Sequence, residues 1–277
     1  MPHPATTLQE PGRAVAPHLR RLLDFAEPRA DDVCLDVARG PGPLPAALTG
    51  LVRRVTAVDA ASPPRSPSPL GARNPRTATT TFATGPVRIA VLGDEPPDAV
   101  PPSSGAPFEA RRLPAGAVRA DASALPYRNR SFSLVTTRFA LFHLGRPELV
   151  LRELLRVCRR DGRVVIADLV RGNTAGTDRD RIERLRDPNH PGTPSIAGLT
   201  ELIVSAGANV RRLDVFTVER PLEPWLAGAS DADAADVIRT ELLDEVDGGP
   251  RTGAKPRIIG GELWFTQSWA HLAVEPI

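Results

Sequence analysis

The stretch that decides the fold is VCLDVARGPG, Val33–Gly42. Its first half is a short apolar run of the kind that forms a buried parallel strand, and its second half is a glycine turn that opens a helix. Asp36 stands on the strand just before the turn, and Gly40 and Gly42 remove side chains where backbone must approach a ligand. A second apolar run, Val55–Val58, ends in Asp59, placed 23 residues after Asp36. An acid at the tip of a second strand is positioned to accept hydrogen bonds from a ribose diol.

Two ligand classes compete for this turn. A pyrophosphate wants the spacing GxGxxG, but Pro45 occupies the third position and Asp36 would repel phosphate. A cationic nucleoside gains from the same carboxylate, which favours S-adenosylmethionine (SAM) with its ammonium, sulfonium, ribose and adenine. A glycine pair alone is equally compatible with an ordinary strand–turn–helix connection that binds nothing.

Composition narrows the field. The 277 residues include 41% hydrophobic ones, enough for one large α/β domain, and the formal charge of +2 comes from 35 basic and 33 acidic residues. No basic block with interleaved aromatics appears, which argues against nucleic-acid binding. The absence of a long apolar run and of a signal-like start leads to the expectation of a cytoplasmic protein without membrane partners. Cys34 and Cys158 stand at no metal-ligand spacing and read as reduced packing residues, so no metal is expected.

Working outward, helical periodicity begins at Pro17 and places Leu19, Leu22, Leu23 and Ala26 on one face, to pack beside the first strand. Pro43–Val52 reads as the helix after the glycine turn, with its prolines tolerated in the first turn. The pattern then breaks. Between Ser62 and Ala115 lie 12 of the 30 prolines, and only Val87–Leu92 resembles a strand, so the region is an irregular insertion: a lid, or a tolerated solvated addition. Order returns with a strand ending at Asp121, a turn at Tyr127–Arg130, a strand at Ser133–Thr137, a helix at Pro147–Arg159 stopped by Asp161–Gly162, and a strand at Arg163–Leu169. Alternation of strand and helix implies a parallel sheet with right-handed crossovers. Helices are expected at Asp178–Arg186, Ile196–Ala206 and Ala232–Val246. Strands at Asn209–Glu219 and Glu262–Val274 should pair as an antiparallel edge, all within one domain.

Taken together, LDVARGPG at Leu35–Gly42, AVDA at Ala57–Ala60, ADASALPYRNRSFSLVTTRFALFHL at Ala120–Leu144 and ELLRVCRRDGRVVIADLV at Glu153–Val170 resemble the class I SAM-dependent methyltransferases. Within them the chain is similar to the small-molecule group that includes the ubiquinone and menaquinone C-methyltransferases. The resemblance implies a Rossmann-like, mostly parallel seven-stranded sheet with an antiparallel edge and helices on both faces. It also implies that Asp36, Ala38, Gly40 and Gly42 surround the methionine and ribose of SAM, that Asp59 accepts both ribose hydroxyls, and that Asp121 and the Ala122 backbone N–H meet adenine. The segment after the fourth strand would face the methyl group, bringing in Thr137 on the cofactor side, Arg138, Phe139 and Phe142 on the substrate side, and His143 as general base.

Three departures from the family pattern stand out: the proline-rich insertion in place of the helix that helps cover adenine, Ser133 in place of an acid, and Phe142–His143 in place of two histidines. The implied activity is methylation, at oxygen or carbon, of a small hydrophobic metabolite in specialised or quinone-like metabolism. The alternatives are a non-methylating cyclisation, rearrangement or decarboxylation on the same fold with SAM absent or structural, and a binding protein without turnover. Tyr127, His190, His271, Trp225 and Leu222–Leu226 are secondary candidates around the acceptor, and a homodimer is allowed.

Overall fold

The computed structural model describes residues 16–38, 42–60, 117–171, 178–229 and 231–277. The insertion, the Val87–Leu92 strand and Gly40 lie outside them.

Strand β1 (Val33–Ala38) is apolar and buried almost throughout, as the centre of a doubly covered parallel sheet must be. It pairs in parallel with β2 (Arg54–Ala60) on one side and β4 (Phe132–Arg138) on the other; β2 continues to β3 (Ala117–Ala120) and β4 to β5 (Cys158–Leu169). Beyond β5 the direction reverses, because β8 (Glu262–Pro276) runs antiparallel to both β5 and β6 (Ala208–Pro221). The order is β3-β2-β1-β4-β5-β8-β6, a mostly parallel sheet with the expected antiparallel edge. Seven strands become eight, since the three-residue β7 (Arg257–Ile259) folds back on the start of β8.

Side-chain alternation along the strands divides the core between the two faces. On one face Leu19, Leu22, Leu23, Phe25 and Ala26 of α1 (Pro17–Ala26) pack with Cys34, Val55, Leu134, Val165 and Ala167, joined by Leu44 and Leu48 of α2 (Pro43–Leu48). On the other, Leu35, Val37, Val135 and Ile166 meet α3 (Pro147–Val157) and α5 (Ile196–Ser205). A satellite cluster joins Ile182 of α4 (Arg179–Arg186), Leu222, Trp225 and Leu226 of α6 (Leu222–Leu226), Ile238 and Leu242 of α7 (Ala232–Val246), and Phe265 of β8. The Leu222–Leu226 stretch, expected as surface for an apolar substrate, is therefore core: Leu222 is 0% and Trp225 4% exposed.

Two helices are shorter than their periodicity suggests. The helix after the glycine turn stops at Leu48, and the later one at Val157 rather than Arg159. Asp161–Gly162 is not the helix stop, because β5 begins at Cys158 and runs through it. The pairing of β4 with β5 shifts register between Phe132 and Leu134, so the extra β5 residues form an irregularity where backbones crowd together. A Cβ on Gly162 would lie 2.8 Å from the Ser133 carbonyl oxygen, which explains the glycine.

At the amino end of the sheet Asp32 ties elements together. It accepts from Ser133 Oγ (2.7 Å), Arg163 Nη2 (2.8 Å) and the Arg29 N–H (2.8 Å), while Arg163 Nε also donates to the Ala26 carbonyl (2.9 Å). Ser133 thus has a structural employment: it accepts from the Val33 N–H (2.9 Å) and donates to Asp32.

Candidate active site

Because the chain leaves β1 toward β2 on one side and reaches β4 on the other, a crevice is expected at the carboxyl ends of β1 and β4. Asp36 lies there. Its backbone is in register with Ala57 and Thr136, its side chain is buried, and Thr136 Oγ1 donates to its Oδ1 at 2.6 Å. Burial pushes the carboxyl up from 3.8 to about 6, opposed by the Thr136 hydrogen bond and the Arg138 charge. A carboxylate held this far from water gains strongly from a cationic partner.

Asp59 is also buried and sits in register with Ala38 at the end of β1 and with Arg119 on β3, whose guanidinium is 3.9 Å away. Asp121 follows β3 directly and is exposed; its Oδ1 accepts from the Ser123 N–H (2.8 Å) and hydroxyl (2.7 Å), which fixes the carboxyl at the mouth of the turn. Ala122 is buried beside it. Gly42 caps α2 with φ −88°, and nothing lies within 4 Å of where its Cβ would be. Three successive parallel strands therefore deliver the three acids to one edge of the sheet, with open space at the glycine that follows β1.

A fourth acid there was missed by sequence reasoning. Asp168, near the end of β5, is buried; its Oδ1 accepts from the Leu169 N–H at 2.8 Å, and its Oδ2 has no hydrogen-bond partner among the described residues. Burial pushes it up to about 7. Thr137, one strand over, likewise keeps a buried Oγ1 without a hydrogen-bond partner. The signal was present: RVVIADL, like VCLDV, is an apolar strand carrying a single acid near its carboxyl end.

On the acceptor side, Arg138 ends β4 with its guanidinium 4.5 Å from the Phe139 ring centre. Burial and the charge of Arg220 lower it to about 10, although Asp36 pulls the other way. Phe139 takes the left-handed conformation (φ 50°), held by its N–H on the Ala167 carbonyl (2.8 Å), and its ring meets the edge of Trp269 at 4.6 Å. Trp269 also meets His18 of α1 at 5.5 Å and Phe216 of β6 at 6.2 Å. The sequence offered Phe139 alone; this aromatic group is assembled from four distant segments.

Phe142 packs against the main core. His143 lies in a 3-10 turn, Leu141–Leu144, with its ring 5.4 Å from that of His190 in an edge arrangement. Two of the histidines considered separately are thus neighbours, and His190 Nδ1 accepts from the Gly192 N–H at 3.2 Å. His271 is 1% exposed between Phe25 and Phe216, and burial lowers it to about 4, so it is a neutral packing group. Tyr127 stacks edge-on against Phe132 at 5.1 Å.

Beyond the aromatic group, Trp269 Nε1 donates to Gln267 Oε1 at 3.3 Å, and Gln267 lines a cavity of about 320 Å³. Leu169, Arg179, Glu183, Thr193 and Lys255 are among its other walls. Among the described residues no group of three metal-ligating side chains converges, and no helix is long and apolar enough to cross a membrane.

Comparison with known proteins bears on the domain and the fold. A family model described as a methyltransferase domain matches residues 104–166. Over 124 residues the chain is 26% identical to the uncharacterized methyltransferase YcgJ of Bacillus subtilis, covering 44% of this chain and 49% of that protein. It is 39% identical over 51 residues to a demethylmenaquinone methyltransferase of Renibacterium salmoninarum, covering 18% and 22%. The chain thus matches about half, or less, of the length of these curated relatives. The crystal structure of YcgJ superposes with a TM-score of 0.64 at 19% identity, covering 94% of this chain and 98% of that one. The [4+2]-cyclase SpnF shares the fold at a TM-score of 0.53 and 14% identity, covering 94% and 80%.

Proposed function

We propose that this chain, a class I methyltransferase by fold and by domain, transfers a methyl group from S-adenosyl-L-methionine to oxygen or carbon of a small acceptor with an apolar body. The observation that carries the reading is Asp36, a buried carboxylate at the switch point of the sheet that burial holds at about 6. Nucleotide phosphate would meet this carboxylate as a like charge, whereas an ammonium or sulfonium would relieve it.

When bound, the cofactor supplies an electrophilic methyl group on a sulfonium. The chain's own task is to hold the donor, orient the acceptor and keep water away. Asp36 compensates the donor's positive charge, with Ala38, Gly40, Gly42 and Thr137 around it. Asp59 accepts from the ribose hydroxyls through two carboxylate oxygens, and Asp121 with the Ala122 N–H takes the adenine edge. Arg138, Phe139 and Phe142 orient the acceptor, and Trp269 extends the aromatic wall. His143, beside His190, takes the proton that the acceptor loses.

Calorimetry with SAM and its demethylated product, followed by labelled-methyl transfer to candidate acceptors, tests the reading. Both ligands should bind the wild-type chain, and Asp59→Asn should bind them at least about tenfold more weakly, the loss of one charge-assisted hydrogen bond. No binding of either would remove the donor. Binding without label transfer to any acceptor would favour the non-methylating alternative, for which no described residue speaks specifically.

A further inference from the structure

The antiparallel ribbon of β6 and β8 outruns the strand beside it. Pairing of β5 with β8 stops at Leu169 and Trp269, but β6 and β8 stay paired from Thr217 with Ser268 to Pro221 with Trp264. The overhang therefore stands past the carboxyl ends of the parallel strands, at the edge of the sheet that holds Asp36. Side chains alternate along it, so Trp269, Gln267 and Phe265 share one face with their register partners Phe216, Val218 and Arg220. Arg138 belongs to that face, since it pairs with Ala167, which pairs with His271, two residues from Trp269. So does Asp36, whose partner Thr136 lies two residues before Arg138.

This face carries two guanidinium groups with little to neutralise them. Arg138 is partly exposed, its guanidinium 4.5 Å from the Phe139 ring centre, and it makes no hydrogen bond or salt bridge among the described residues. Arg220, also partly exposed, makes one long hydrogen bond among them, from Nη1 to Gln267 Oε1 at 3.4 Å, and that oxygen already accepts from Trp269 Nε1. Both cations act on one ring: His18, edge-on to Trp269, is lowered by burial and then by the charges of Arg138 and Arg220. The nearby acids are engaged. Asp36 accepts from Thr136 and is assigned to the donor's cation, Asp214 pairs with Arg21 (2.9 Å), and Glu183 accepts from Gln267 Nε2 (3.1 Å) and pairs with Arg179 (3.0 Å).

Cations that burial and mutual repulsion disfavour gain from an anion laid between them. We propose that the methyl acceptor is an aromatic acid, its ring against Trp269 and Phe139 and its carboxylate between Arg138 and Arg220. This rests on the methyltransferase reading above and adds a charge to its apolar acceptor. Forked guanidinium groups suit the two oxygens of a carboxylate, and a wall of Phe139, Phe216 and Trp269 suits an aromatic body.

The test uses the full chain with S-adenosylhomocysteine at saturation, its affinity measured first on every variant. 1-Naphthoate, 1-naphthamide, hexanoate and 1-naphthyl phosphate are then titrated calorimetrically. Naphthoate should bind at least about tenfold more tightly than naphthamide or hexanoate, a difference of about 1.4 kcal/mol. Arg220→Gln should abolish the preference for acid over amide and leave S-adenosylhomocysteine affinity unchanged, while Arg220→Lys, which keeps the charge but not the fork, should retain part of it. Equal binding of acid and amide, or an unchanged preference in Arg220→Gln, overturns the proposal. Hexanoate binding as tightly as naphthoate overturns the aromatic ring, and tighter binding of the phosphate overturns the carboxylate. Competition between naphthoate and S-adenosylhomocysteine would put the arginines on the donor's own carboxylate and overturns the acceptor assignment. If S-adenosylhomocysteine does not bind while naphthoate keeps its preference, the methyltransferase reading falls and the anion seat stands.

Discussion

The conflict at Asp36 between burial and charge sets up a separation of stability from binding at a single residue. The folded carboxyl titrates at about 6 against an ordinary 3.8. The folded state therefore holds its proton more tightly than the unfolded chain. The destabilising penalty is absent below about pH 4, grows as pH rises toward 6, and is complete above that. Asp36→Asn should raise the stability of the ligand-free chain at pH 8 by about 1–3 kcal/mol, with the gain vanishing by pH 4. The same variant should weaken SAM binding at least tenfold, on the order of one lost charge partner. Denaturant unfolding at the two pH values, with calorimetry alongside, reads both; a less stable variant at pH 8 would mean that Asp36 is already compensated. At this scale the sequence was informative. Asp36, Asp59 and Asp121 could be singled out because each stands in or directly after an apolar run near a turn, and Asp168 was passed over only because its strand was read for packing.

At the scale of elements, two glycines that look alike in sequence have opposite employments. Gly162 was read as a helix stop, but β5 passes through it and its missing side chain makes room for the Ser133 carbonyl. Gly162→Ala should cost about 1–3 kcal/mol through overpacking against backbone. Gly42 has an ordinary φ and open space around it. Gly42→Ala should leave stability within about 0.5 kcal/mol, as for an unconstrained surface position, and, on the proposed reading, reduce cofactor affinity by filling space that the donor would take. Thermal unfolding and calorimetry on the pair distinguish these roles; equal stability losses would show that Gly42 is kept for folding. The early end of α3 belongs here too. Leucine periodicity continues to Cys158, but the strand pairing of β4 and β5 claims that residue, a competition that no local pattern reveals.

Over the whole molecule the sheet is one body, and the satellite cluster of α4, α6, α7 and β8 flanks its antiparallel side. Trp225 sits at the centre of that cluster, 4.8 Å from the Phe265 ring. Trp225→Ala should cost about 3–5 kcal/mol, as large buried aromatics do, while SAM affinity changes less than twofold, since the acids proposed to hold it lie on β1, β2 and after β3. A small loss of stability together with a raised acceptor KM would return Trp225 to the substrate surface that its sequence context suggested.

Strand periodicity, the acids at strand ends and the glycine turn are local features, so the sequence alone determined the parallel half of the sheet and its antiparallel edge. What needed the tertiary structure is everything built by convergence. The grouping of His18, Phe139, Phe216 and Trp269, the neighbouring of His143 and His190, and the pairing of Arg163 with Asp32 join residues far apart in the chain. Burial and charge compensation are properties of the packed neighbourhood, and only folding decides which neighbours a side chain keeps.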